Sequence, residues 1–178
     1  MTKVAPGDSA LVIFPTKEIS VEIDKWRRVY DPNHKTIPPH MTIAFPPFIS
    51  EKQWLLKREN FTTLFRTFGP FKITLQKLGY FKGDSFVLWL EPKDGGNLLR
   101  IHTALQEQFP EYVPSSQVEY IPHMTIGFFE SERALLQAKE VILAEWKTVQ
   151  FIVYKLLYVA LGDDGIWHIK DKLYLKNN

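Results

Sequence analysis

A histidine and a threonine two residues apart occur twice in this chain, each time inside the same pentapeptide. The copies are Pro39-His40-Met41-Thr42-Ile43 and Pro122-His123-Met124-Thr125-Ile126. Imidazole is the side chain that gains or loses a proton near neutral pH. Two imidazoles on opposite sides of one phosphorus can divide the work of ester cleavage. One takes the proton of the attacking water, and the other returns a proton to the departing oxygen. Two threonine hydroxyls can hold the non-bridging oxygens, whose charge redistributes in the transition state. This is equipment for phosphodiester chemistry without a metal.

These residues need strands to position them. In a strand, residues i and i+2 point to one face. His40, Thr42 and Ala44 should therefore share a face, with Met41, Ile43 and Phe45 on the other. In the second copy His123, Thr125 and Gly127 oppose Met124, Ile126 and Phe128. Each apolar trio can pack under helices, and Ala44 and Gly127 should leave a ligand room. Proline enters each strand, where a missing N–H is tolerated. Continued alternation puts Phe129 on the face of His123, and Tyr120 lies three residues before it. Either ring could stack on a base or pack at the rim.

Two other readings compete with catalysis. The His–Thr pairs could be structural and satisfied by backbone groups, but two identical copies at matching places argue otherwise. Two histidines could also ligate zinc. Zinc ordinarily takes a third protein ligand, and no His-x-x-x-His or adjacent carboxylate accompanies either copy.

Around the motifs the pattern predicts strands over 10–14, 40–45, 71–81, 85–90, 123–129, 151–161 and 167–175. Helices are expected over 18–30, 50–68, 97–109 and 131–146. Two runs, 10–81 and 85–161, show the same order of strand, helix, repeat strand, helix and strand. The order implies a duplicated unit folding into lobes related by a pseudo-two-fold axis. We expect one bilobal α+β domain over 1–178, with lobe-forming halves at about 10–81 and 85–175. Each lobe would hold an antiparallel sheet with flanking helices, and the site would lie in the groove between them.

Composition narrows the partners. The net charge of +2 over 178 residues and the absence of like-charge blocks argue against a nucleic-acid-coating protein. There is no cysteine, which removes thiolate chemistry and disulfides and fits a reducing cytoplasm. No segment reads as a signal peptide or a membrane span. We expect a cytoplasmic protein with no cofactor, no metal, no membrane association and no obligate protein partner. His34, His102 and His168 read as surface or structural histidines. Gly95-Gly96 and the Asp163-Asp164 stretch read as loop and turn.

The paired His-x-Thr motifs at His40–Thr42 and His123–Thr125, in a bilobal chain of this length, resemble the 2H phosphoesterase superfamily. That superfamily includes RNA 2′,5′-ligase and cyclic phosphodiesterase proteins and a bacterial phosphoesterase branch. The resemblance spans nearly the whole chain and includes the hydrophobic residue after each threonine, Ile43 and Ile126. It implies metal-independent hydrolysis of 2′,3′-cyclic or 2′,5′-linked nucleotide or RNA-terminal phosphodiesters. By the same resemblance His40 is the proton donor and His123 the acceptor, and Phe14 and Pro15 form a wall of the groove. No Arg or Lys stands beside either motif to bind a terminal phosphate or a long RNA, a departure that weighs against RNA ligation more than against hydrolysis. A nucleotide- or RNA-end-binding module using the same groove without turnover is the alternative.

Overall fold

The computed structural model describes residues 4–115 and 119–176. Strand β1 (Ser9–Ile13) leads through Thr16, whose side chain caps α1 (Lys17–Tyr30), to β2 (Met41–Ala44). Ser50 caps α2 (Glu51–Phe65), followed by β3 (Phe71–Phe81) and β4 (Phe86–Lys93). Then come α3 (Asn97–Gln108), β5 (Met124–Phe129) and α4 (Glu132–Glu145), the last capped by Ser131. The chain ends in β6 (Val149–Val153), β7 (Lys155–Leu161) and β8 (Trp167–Tyr174). At α3 the Asp94 carboxylate accepts from the N–H groups of Gly96 and Leu98, so it fills that helix N-terminus.

The strands form one antiparallel sheet in the order β6-β3-β4-β5-β2-β1-β7-β8. Its two four-stranded halves meet at β2 and β5 through a single register pair, Met41 with Met124. This is the two-lobed α+β architecture expected, with the two sheets bridged into one.

Two expectations change. The lobes are not the two halves of the sequence: β3 pairs with β4 and β6, whereas β7 and β8 join β1. One sheet half is built from the middle of the chain, β3 to β6, and the other from its two ends, β1 and β2 with β7 and β8. The helices cross as well. α1 follows β1 but packs on β5, and α3 follows β4 but packs on β2. Secondly, the single strand expected over 151–161 is two strands separated by Tyr154. β6 lies at one edge of the sheet and β7 is next to last at the other. One linking residue spans only about 7 Å, so the sheet must curl until its two ends approach.

One apolar core lies between the helices and the sheet. It contains Met41, Ile43, Met124 and Ile126, all fully buried. A smaller cluster of Ala10, Val12, Leu157 and Val159 covers part of the opposite face, with Phe14 and Trp167 packed against it.

Candidate active site

His40 immediately precedes β2 and His123 immediately precedes β5. Because the Met41–Met124 pair is antiparallel, the flanking register sets His40 toward Thr125 and His123 toward Thr42. The two polar pairs thus surround the junction of the sheet halves, and the charge of His123 is felt at His40.

Both rings are held alike. His40 Nδ1 lies 2.9 Å from the Pro38 carbonyl oxygen, and His123 Nδ1 lies 2.7 Å from that of Ile121. A carbonyl only accepts, so each Nδ1–H donates and each Nε2 is left for a ligand. Pro39 and Pro122 lie between each carbonyl and its ring, and fix φ there. The hydroxyls of Thr42 and Thr125 engage no other described residue.

The surroundings of the rings differ. Burial, helped by the Arg27 charge, pushes His40 down to about 4, against the opposing pull of its Pro38 hydrogen bond. Burial also lowers His123, and its bond to Ile121 opposes that. Phe81 meets the His123 ring edge-on at 5.0 Å, and Trp89 lies 6.0 Å away. Trp89 pairs with Thr125 across β4 and β5.

Arg27, only 2% exposed, is the chief residue the sequence did not point to. Its guanidinium donates to Asp31 at 2.8 and 3.0 Å, to Asp24 at 3.0 Å and to the Ile37 carbonyl at 2.9 Å. The end of α1 is thereby tied to the loop that delivers His40. Two carboxylates occupy this cation, so it is a brace for the loop.

Bulges alter the faces beyond each threonine. Val12 pairs with Thr42 but Leu11 with Ala44, and Trp89 pairs with Thr125 but Leu88 with Gly127. Ile43 and Ile126 are the extra residues, and each shifts the alternation by one. Ala44 therefore joins the helix-side core. A Cβ at Gly127 would lie 2.4 Å from Tyr30 Cβ, so the missing side chain admits α1 rather than a ligand. Phe129 turns with it: its ring packs on Tyr30 at 5.3 Å, away from the face of His123. Neither small residue makes ligand room, and Phe129 is not a groove residue.

Phe14 does lie on the face of Thr42, packed with Val12. Tyr120 comes to the site by another route than stacking alone. Its hydroxyl donates to the Thr42 carbonyl at 2.8 Å, and burial pushes its pKa up. Its ring is stacked on His102 at 3.9 Å and 9°. His102, read from the sequence as a surface or structural histidine, binds the Ile43 carbonyl through Nδ1 at 2.8 Å. Both rings face a cavity of about 920 Å³ that also touches Phe45, Phe81, Tyr112 and His123. The spacing of Leu98, Ile101 and Leu105 identified the buried face of α3, but nothing in it marked His102. Among the described residues no three His, Asp or Glu side chains converge as metal ligands.

The fold and the doubled His–Thr site define the class of two-histidine phosphoesterases. Residues 15–164 match the 2′-5′ RNA ligase superfamily, and the chain belongs to that family. A Shouchella clausii protein named "Putative phosphoesterase" is 27% identical over 175 residues, covering 95% of this chain and 98% of its own. One of the same name from Bacillus licheniformis is 26% identical over 121 residues, covering 66% of this chain and 68% of its own. Among solved structures, Escherichia coli LigT complexed with 3′-AMP superposes with a TM-score of 0.64 at 19% identity, covering 97% and 100% of the two chains. A Thermus thermophilus protein gives 0.66 at 17% identity, over 96% and 98%. At such identities these two establish the fold. No helix among the described residues is long and apolar enough to cross a membrane.

Proposed function

We propose that the chain hydrolyses a 2′,3′-cyclic or 2′,5′-linked nucleotide or RNA-terminal phosphodiester by two-histidine acid–base catalysis without a metal. The observation that carries this reading is the matched pair of imidazoles, each with Nδ1 tied to a carbonyl and Nε2 left for a substrate. His40 Nε2 takes the proton of a water whose oxygen attacks phosphorus. The bond to the leaving oxygen breaks opposite, and His123 Nε2–H protonates that oxygen. For a cyclic ester the product is a ribose monophosphate. Thr42 and Thr125 donate to the non-bridging oxygens. Burial and the Arg27 charge favour the neutral ring at His40, which suits the base. This is the reverse of the order implied by the resemblance. The LigT complex with 3′-AMP supports a small nucleotide in such a groove.

The test is hydrolysis of 2′,3′-cyclic nucleotides and 2′,5′-linked dinucleotides in EDTA across pH. Activity should survive chelation, with kcat/KM bell-shaped between an acid limb near 4 and an alkaline limb below 6.5, where His123 is lowered from its ordinary value. His40→Ala and His123→Ala should each lower kcat by at least about 10²-fold. The first should also lose the acid limb and the second the alkaline limb. Full rates in both variants would remove the site from catalysis, and nucleotide binding without product at any pH would favour a binding module.

A further inference from the structure

The cavity beside His123, about 920 Å³, is larger than a phosphodiester alone requires. Its walls are mostly apolar or aromatic. Glu119 is the one carboxylate among the described residues that line it, and no Lys or Arg does. Such walls suit a flat uncharged ring and offer no cationic side chain to a second phosphate.

His102 gives the wall a directional polar group. Its Nδ1 lies 2.8 Å from the Ile43 carbonyl oxygen, which only accepts, so Nδ1–H donates. One face of the imidazole is covered by Tyr120 at 3.9 Å, and the Tyr120 hydroxyl is itself fixed to the Thr42 carbonyl at 2.8 Å. Tautomer and ring plane are thereby set by contacts to β2. In the neutral ring Nε2 is then an acceptor, and it has no hydrogen-bond partner among the described residues. A ligand edge that meets it must carry a donor.

We propose that this cavity is a nucleobase subsite in which His102 Nε2 selects a base presenting an exocyclic amine, adenine or cytosine, over one presenting a carbonyl there, hypoxanthine or uracil. The inference rests on the reading that a nucleotide phosphate sits between His40 and His123. An amine N–H donates to the imidazole lone pair. A carbonyl oxygen at the same place opposes one lone pair with another and leaves the acceptor unmet. Sites built around a hydrogen bond discriminate most strongly against analogues that cannot make it.

Calorimetric titration with the 3′-monophosphates of adenosine, inosine, cytidine and uridine at pH about 8 tests the subsite directly. Adenosine over inosine, and cytidine over uridine, should bind tighter by on the order of tenfold. His102→Asn can keep an N–H toward the Ile43 carbonyl but lacks Nε2. It should bring the adenosine phosphate down to the affinity of the inosine phosphate, which itself should not move. Equal affinities in the unaltered protein, no binding of any of the four, or a preference that survives His102→Asn would overturn the proposal. Should that variant fail to fold, the comparison of adenosine with inosine in the unaltered protein decides. Opening of methyl riboside 2′,3′-cyclic phosphate, which has no base, separates the two readings. Hydrolysis without base preference defeats the subsite and keeps the phosphodiesterase. Base preference without hydrolysis of any cyclic phosphate does the reverse.

Discussion

His40 and His123 are chemically the same residue held in the same way, and their surroundings make them different. Each Nδ1–H is tied to the carbonyl two positions back, so either Nε2 can serve a substrate. Only His40 lies under the influence of the buried Arg27. Its value falls from 6.5 in the ordinary case to about 4 in the fold. Between those values the unfolded chain binds the proton and the native chain does not. Native stability is therefore full above the upper value, falls as pH drops through the window, and levels off below the lower one. His40→Gln should flatten that decline, measured as urea midpoints at a series of pH values. An unaltered decline would show that His40 is not held neutral. The two His–Thr pairs were legible as a repeat because their chemistry is local to three residues. Arg27 was not, since a charge on a helix with carboxylates at helical spacing reads equally as a solvated face. Its burial depends on where the loop through Ile37 returns.

At the scale of elements, alternation was a sound guide as far as each threonine and misleading beyond it. The reason is one extra residue in each strand, Ile43 in β2 and Ile126 in β5. A bulge leaves no mark in a run of apolar residues, because the phase shift is set by the partner strand. Its effect is to turn Phe129 onto Tyr30 and to bring α1 against Gly127. The helix approaches closely there: a Cβ at 127 would also lie 2.9 Å from the Tyr30 carbonyl oxygen, an atom of the main chain. Gly127→Ala must therefore displace the end of α1. It should cost about 1–3 kcal/mol, read as a lowered Tm. Gly83→Ala, where nothing lies within 4 Å of the new Cβ, should leave Tm unchanged. A neutral Gly127→Ala would mean that α1 is not seated on β5.

For the whole molecule, the feature least visible in the sequence is the path of the chain after α4. Residues from Val149 to Leu161 carry no glycine or proline to divide them. Yet the first part pairs with β3 and the second with β1. Local pattern can identify a strand but cannot name its partner, which depends on contacts far along the chain. The consequence is a molecule whose halves share helices and a chain crossing but little sheet. β3 and β4 form a long ladder from Thr74 to Phe81, whereas β2 and β5 share one pair, Met41 with Met124. The two His–Thr pairs stand on that least-bonded line, one at each of its two strands. A phosphate held by both His–Thr pairs would supply a bridge that the backbone lacks. Amide hydrogen exchange should therefore be faster at residues 41–42 and 124–125 than at Leu78–Tyr80 in the free protein. Saturation with a nucleoside 3′-phosphate should slow exchange at the first set, on both halves together, and leave the ladder unchanged. Slowing confined to one half would show that the ligand engages a single His–Thr pair, and in-line catalysis across the junction would then fail.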